Sequence, residues 1–321
     1  MKHIWLDCDP GHDDAMALIL ACYHPDSRLI GMTTVAGNQS VDKTFRNAKA
    51  VLTAIGCGHV PVFKGQSSAI LKAMPFCAEI HGESGLDGRD GKPLFPLLPD
   101  EEPEGFWLLN WKESLDKVWL ETSEKIDLVA IGSLTNVALL LTLFPEVKSW
   151  IRITIMGGTM GIGNTGPVAE FNIENDPEAA HIVFESGVEL TMVPLEVTHT
   201  ALATAEVLVA IGDGSPFRRK IQEMLLFFRD TYRNVFGFDD PPLHDPLAVL
   251  FVLHPELFQC RKMRVDIERA SELSRGQTVC DFYGRSSREA NCNVALSVDV
   301  DRFWQSMLEA VDKADSAFRE L

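Results

Sequence analysis

The chain has 321 residues, 46% hydrophobic and 23% charged, with 46 Asp and Glu against 29 Lys and Arg for a net charge of -17. This composition supports a large core and excludes a disordered chain, a coiled coil and a small disulfide-stapled scaffold. The acid excess repels phosphate backbones and anionic headgroups, so neither nucleic acid nor a membrane surface is expected as a partner.

Short apolar runs at residues 3–8, 29–35, 60–63, 126–131, 151–156 and 190–194 predict strands. Helical patterns at 13–22, 42–55, 110–121, 135–143 and 177–185 alternate with them. That alternation predicts an α/β fold, an open and mostly parallel central sheet with helices on both faces. Further on, 216–235 reads as a long amphipathic helix, 246–253 as a short buried one, 263–268 and 293–298 as added strands, and 301–319 as a closing helix. Loops at 76–98 and 237–243 are long enough to act as lids. No repeat and no linker divides the chain, so one domain over 1–321 is expected.

Seven cysteines without a C-x-x-C pair indicate neither a disulfide framework nor a zinc site. The opening Met1-Lys2-His3-Ile4-Trp5 enters a strand pattern directly and has no signal-peptide apolar run. No stretch reaches the ~18 apolar residues of a membrane span. A cytoplasmic enzyme is the expectation.

The most informative segment is Asp7-Cys8-Asp9-Pro10-Gly11-His12-Asp13-Asp14, which sets four carboxylates where the first strand ends and a helix begins. Ligands of open α/β sheets bind outside the carboxyl ends of the strands. Repelling acids gathered there are costly unless neutralised, and a divalent cation does so directly. All-oxygen ligation points to Ca2+ or Mg2+. Asp13 or Asp14 singly could simply cap the helix. Asp245, before Pro246, is an ordinary helix start when taken alone, but His244 beside it adds a side chain that can act as an acid near neutral pH.

Neutral polar residues sit at other strand ends: Asn38 in Val35-Ala36-Gly37-Asn38, the run Gly132-Ser133-Leu134-Thr135-Asn136, and Asn164, Glu170 and Asn172 beyond Met156-Gly157-Gly158. Amides and acids so placed suit the hydroxyls of a sugar. Gly161-Ile162-Gly163-Asn164-Thr165-Gly166 matches G-x-G-x-x-G, but Pro167 and a polar stretch follow where a dinucleotide fingerprint needs a helix. Asn175-Asp176-Pro177-Glu178 reads as a plain helix start.

The acidic segment resembles the D-x-D-P-G-x-D-D signature of the nucleoside hydrolases. Supporting matches are Val35-Ala36-Gly37-Asn38, His81-Gly82-Glu83-Ser84-Gly85, Gly132-Ser133-Leu134-Thr135-Asn136, Met156-Gly157-Gly158, Ala169-Glu170-Phe171-Asn172 and His244-Asp245-Pro246. The resemblance implies an open α/β fold, one bound Ca2+ per subunit, a homodimer or homotetramer, and hydrolysis of the N-glycosidic bond of ribonucleosides in purine and pyrimidine salvage. It implies Asp9, Asp14, Asp245 and the Ile131 carbonyl as Ca2+ ligands, with Asp9 also the general base for a metal-bound water. Asp13 and Asn38 would hold ribose hydroxyls, and Asn164, Glu170 and Asn172 the rest of the sugar. Met156 and Phe171 would line the ribose pocket. His81 would meet the substrate from one lid segment, and 228–244 would form the other. His244 would protonate the departing base. Many relatives carry a hydroxyl residue where this chain has Ile131, and His12 receives no role. A His in the position of His244 is similar to the inosine- and uridine-preferring branch, so uridine and inosine are the expected substrates.

Two other readings are weighed. A haloacid-dehalogenase-type phosphatase also opens with D-x-D after a first strand and would use Asp7 as nucleophile, but Pro10-Gly11 stands where its pattern wants Thr or Val soon after the second acid. A non-catalytic Ca2+-dependent nucleoside-binding protein would keep the ligands and lose the acid and base, yet Asp9 and His244 are both present.

Overall fold

The computed structural model describes residues 1–72, 76–96, 98 and 103–318. Strands β1 (Lys2–Cys8), β2 (Ser27–Thr34), β3 (Val62–Lys64), β4 (Ile126–Ala130), β5 (Ile151–Met156) and β6 (Leu190–Val193) pair in parallel. At one edge lies β7 (Phe258–Met263), apart from the small antiparallel pair β8 (Val265–Ile267) and β9 (Thr278–Cys280). Strand β10 (Cys292–Val298) runs parallel to β6 and antiparallel to β7, giving the order β3-β2-β1-β4-β5-β6-β10-β7. The predicted class holds: the sheet is open and mostly parallel.

Twelve helices are described: α1 (His12–Tyr23), α2 (Val41–Ala54), α3 (Ala78–His81), α4 (Trp107–Thr122), α5 (Thr135–Leu143), α6 (Phe171–Asn175), α7 (Pro177–Phe184), α8 (Leu195–Thr198), α9 (Ala205–Gly212), α10 (Pro216–Phe236), α11 (Asp245–Leu253) and α12 (Val300–Ala317). Strand alternation divides their work. Ile4, Leu6 and Cys8 of β1 face a core shared with α1, α2, α10, α11 and α12. Trp5 faces the opposite core, shared with α4, α5 and α7. Both faces of the central strands are thus covered, which is why those strands read as continuous apolar runs.

Local chemistry sets the helix ends. Ser215 caps α10 by accepting from the Arg218 amide at 3.1 Å, Pro216 opens the helix, and Gly237 ends it at φ 75°. Asp176 caps α7 from the Ala179 amide at 3.0 Å, as the Asn-Asp-Pro-Glu run predicts. The predicted strand at 263–268 is corrected. Met263 ends β7, Val265 opens β8, and Arg264 between them turns to Glu185 and Asp266. Strand β7 escapes pattern reading because its middle residues Gln259, Cys260, Arg261 and Lys262 are exposed at the sheet edge. The closing helix ends at Ala317, and Arg319 lies outside the described residues, as does Leu97 of the 76–98 loop.

Trp5 is held between Phe63 and Trp111, ring centroids 5.9 and 5.8 Å away. A Cβ at Gly31 would stand 2.4 Å from the Trp5 ring. Gly31→Ala is therefore expected to overpack this site and cost about 1–3 kcal/mol, read as a lower urea midpoint with unchanged slope.

Candidate active site

The strand order turns at β1, which lies between β2 and β4, so the carboxyl ends of β1 and β4 open a crevice. Residues that follow these strands meet there: Asp9 after β1, Asn38 after β2 and Ile131 after β4, with Met156 ending β5. Helix α1 brings Asp13, and α11 brings Asp245 with His244 just ahead of it. Together these groups line one cleft. Its further lining includes His81, Asn164, Glu170, Phe171 and Asn172 and, among the described residues, no lysine or arginine. A larger hollow at the opposite, amino end of the strands is lined by Lys2, Asp127, Arg152 and Lys262 and contains none of these groups.

The acids are buried together. Asp9, Asp13, Asp14 and Asp245 are each less than a tenth exposed. Asp14 Oδ1 accepts from the Asp9 amide at 3.1 Å, and its Oδ2 from the Gly11 amide at 2.9 Å. The Asn38 amide donates to Asp9 Oδ2 at 2.7 Å, and Asn38 Nδ2 donates to the Asp9 carbonyl at 3.0 Å and Asp14 Oδ2 at 3.2 Å. Asn38 therefore braces the acids as well as lining the cleft. Glycine at 37 and 132 is required by close approach, since a Cβ there would stand 2.2 and 2.6 Å from the Asp9 carboxylate oxygens.

Asp13, Asp14 and Asp245 can bring one oxygen each within 4.8 Å of one another. Buried, mutually close, oxygen-only and, among the described residues lining the cleft, unopposed by a cationic side chain, these groups fit a hard divalent cation. Asp13 belongs to this closest group, whereas Asp9 stands beside it, tied to Asn38. The Ile131 carbonyl accepts from Asn172 Nδ2 at 2.8 Å and keeps a second lone pair.

Asp7 is corrected out of the cluster. Strand alternation turns it to the Trp5 side, where it is buried and accepts from Thr33 Oγ1 at 2.5 Å and Asn136 Nδ2 at 2.8 Å. It does not line the cleft, which removes the nucleophile that a phosphatase of the D-x-D type would need.

Several polar residues are already engaged. Glu170 caps α6, accepting from the amides of Gly158 (2.8 Å), Asn172 (2.9 Å) and Ile173 (3.2 Å). Asn172 Nδ2 also donates to the Met156 carbonyl at 3.1 Å, and Asn164 Oδ1 accepts from the Phe171 amide at 3.0 Å. His244 has both ring nitrogens occupied, Nδ1 2.8 Å from Thr198 Oγ1 and Nε2 2.8 Å from the Tyr232 hydroxyl. Tyr232 lines the cleft beside Phe228, Phe236, Cys77 and Ile80. Thr198 is the residue that sequence reasoning missed, and nothing in Val197-Thr198-His199 marks it.

Burial is the main electrostatic force here. It raises the Asp9 carboxyl to about 8 against the pull of the Asn38 amide, and raises Asp13, Asp14 and Asp245 as well, with neighbouring carboxylates adding to it. Glu170 is raised to about 7 by the same cause. Burial pushes His244 and His81 well below the ordinary histidine value, and His12 down to about 4.

Fold and site together define an α/β enzyme with an acid-floored cleft at the switch point of a parallel sheet. The chain matches the inosine-uridine preferring nucleoside hydrolase family over residues 4–305 and belongs to that family. It is 43% identical over 320 residues to a probable ribonucleoside hydrolase of Dictyostelium discoideum, covering 96% of this chain and 94% of the relative. It is 40% identical over 322 residues to a pyrimidine-specific ribonucleoside hydrolase of Shewanella baltica, covering 99% and 98%. A purine-preferring ribonucleoside hydrolase from Gardnerella vaginalis superposes with a TM-score of 0.88 at 30% identity, covering 98% of this chain and all of that one. The chain is accordingly a ribonucleoside hydrolase, an N-glycosidase.

Without a cation, folding takes up protons on the raised acids. That contribution is complete below the unfolded value near 4 and, for Asp9, Asp13 and Asp14, is lost as pH rises through the folded value near 8. A cation must displace those protons, so its binding strengthens with pH. The Tm of chelator-stripped protein is expected to fall between about pH 5 and about pH 8, and the gain on adding Ca2+ to be larger at the higher pH, both read by scanning calorimetry.

Proposed function

We propose that this chain hydrolyses ribonucleosides in a Ca2+-dependent reaction, with uridine the preferred substrate and inosine the purine that competes with it. The observation that carries the reading is the buried set Asp9, Asp13, Asp14 and Asp245 on the floor of a cleft whose other wall bears His81, Phe228 and Tyr232. The pyrimidine specificity named for the Shewanella relative supports uridine. Asp9, Asp14, Asp245 and the Ile131 carbonyl would hold the cation. When bound, Ca2+ supplies a Lewis acid and a template for the vicinal hydroxyls of ribose.

The chain's own groups do the rest. Asp9, once ionised, takes a proton from the water that attacks the anomeric carbon. Asp13 and Asn38 orient ribose hydroxyls, and Asn164, Glu170 and Asn172 hold the remainder of the sugar. Met156 and Phe171 pack against it and exclude water. Positive charge grows on the ribosyl ring as the glycosidic bond breaks, and the Asp13 and Glu170 carboxylates offset it. The departing base meets the Tyr232 hydroxyl, which His244 backs at 2.8 Å and Thr198 backs in turn. His244, in its protonated form, acts on the base through Tyr232: its Nε2 proton passes to the Tyr232 oxygen as that hydroxyl gives its own proton to the base, which leaves a neutral imidazole. Water attack without a covalent sugar intermediate gives inversion.

We place the enzyme in the cytoplasm as a homodimer or homotetramer with one domain spanning 1–321. All seven cysteines are free thiols, and no described helix is long and apolar enough to cross a membrane.

Reducing-sugar assays on uridine, cytidine, inosine, adenosine and guanosine test the reading. Ribose release should rank uridine first, vanish after prolonged chelation and return with Ca2+; release that ignores the chelator would sink the metal's part. Asp9→Ala is expected to cut kcat by roughly 10^2–10^4-fold with the fold intact by circular dichroism. His244→Ala should slow uridine by a similar factor while sparing 4-nitrophenyl riboside, whose leaving group needs no proton. Equal losses on the two substrates would refute the relay.

A further inference from the structure

We propose that the hollow at the amino ends of the strands is a second binding site, built for a phosphate monoester with a ring-bearing body, such as a nucleoside monophosphate. It lies at the opposite end of the sheet from the acid-floored cleft and does not depend on what that cleft cleaves.

The strand pattern marks this place as unusual. On one face of the sheet, Val129, Met156, Val193 and Ala295 belong to the apolar core. Two residues earlier on the same strands, and so on the same face, stand Asp127, Thr154, Thr191 and Asn293. Thr154 pairs with Thr191, Thr191 with Asn293, and Asn293 with Lys262 of β7. A sheet covered on both faces is expected to stay apolar there. Instead this polar row floors a hollow of about 680 Å3, inside the ~300–1,000 Å3 range of small-molecule sites.

The floor carries donors that the fold does not use. Thr154 and Thr191 are each more than nine-tenths buried, both line the hollow, and neither hydroxyl has a hydrogen-bond partner among the described residues. Arg152 precedes Thr154 by two residues on the same face of β5. Its Nε and Nη2 both donate to the Asp127 carboxylate, the second at 3.1 Å. That fork fixes the guanidinium plane and leaves Nη1 for a ligand.

Lys2 on β1 lies two strands from Thr154, and Lys262 on β7 lies two strands from Thr191 on the other side, ~10 Å in each case at ~4.8 Å per strand. Both lysines line the hollow, and neither makes an ion pair among the described residues. Lys125 is held by Glu189 at 3.6 Å. The lining thus has four cationic side chains against two acids, in a chain whose net charge is -17. Charge of this sign selects an oxyanion. A guanidinium, two hydroxyls and flanking lysines match the three terminal oxygens of a phosphate monoester better than the two of a carboxylate. The space exceeds a bare phosphate, and Phe251 and Pro255 at the end of α11 give the rest of the ligand an apolar wall. Helix α11 runs nine residues, from Asp245 to Leu253, a length of ~13 Å that keeps this ligand out of the acid-floored cleft.

Isothermal titration calorimetry with uridine 5′-monophosphate and with inorganic phosphate tests the proposal. The monophosphate is expected to bind one-to-one and at least tenfold tighter than inorganic phosphate. Thr154→Val and Thr191→Val keep the side-chain shape and remove only the hydroxyl, so each should weaken that binding roughly tenfold. Lys262→Gln, at an exposed position, should weaken it severalfold and flatten its salt dependence. All three variants should turn over ribonucleoside as the wild type does, and the monophosphate should leave the KM for uridine unchanged. No binding at millimolar monophosphate overturns the proposal, as does binding that all three variants leave intact. Inorganic phosphate bound as tightly as the monophosphate overturns it too. So does a raised KM for uridine that the variants do not relieve, since the nucleotide would then occupy the acid-floored cleft. Calorimetry reads binding alone, so a wild type that releases no ribose would remove the ribohydrolase reading and leave this test standing.

Discussion

Burial of four carboxylates in one place is the constraint from which the rest of this structure follows. Taking an ionised carboxylate out of water costs several kcal/mol, and setting a second beside it adds repulsion. Asp14 meets that cost by accepting from the Asp9 and Gly11 amides, and Asp9 by accepting from the Asn38 amide. Amide donors favour the ionised carboxylates, and burial opposes them. A divalent cation would satisfy all four acids at once, which is the strongest physical reason for the set to exist.

Around the acids, the neutral polar groups are mostly bound to one another. Glu170 holds three amides, Asn172 two carbonyls and Asn164 one amide. Side chains locked in this way lose little freedom when a sugar arrives, and their remaining lone pairs and N–H groups point where the network directs them. Another part of the cleft is built by the same rule, with Thr198, His244 and Tyr232 in one chain of hydrogen bonds. Preorganisation spreads outward from the acids through backbone contacts that no side-chain motif records.

That difference explains what could be read in advance. The alternation of apolar runs with amphipathic segments marks β5 and α5 at their observed bounds, because buried parallel strands and their covering helices carry strong periodicity. The acidic run after β1 and the His244-Asp245-Pro246 segment stand out because so many charges at a strand or helix end demand an explanation. Edge strand β7 stays hidden, since its exposed charged residues imitate a loop. Asp7 misleads for a simpler reason: it belongs to the same acidic run, but a strand's two-residue period sends it to the opposite face. Thr198 and the brace formed by Asn38 depend on contacts between distant segments, which no local pattern encodes.

The site draws Asp9, Asp13 and Asp14 from the first strand and helix, and Asp245 from a helix more than two thirds of the way along the chain. Contacts of such wide sequence separation carry a larger loop-closure cost than local ones. During synthesis the early acids leave the ribosome without the partner that completes their cluster. They remain in water, free of the burial cost, until α11 docks against α1. The acid cluster thus cannot be complete until the chain through α11 has been made, and a truncated chain lacking α11 would be left without Asp245.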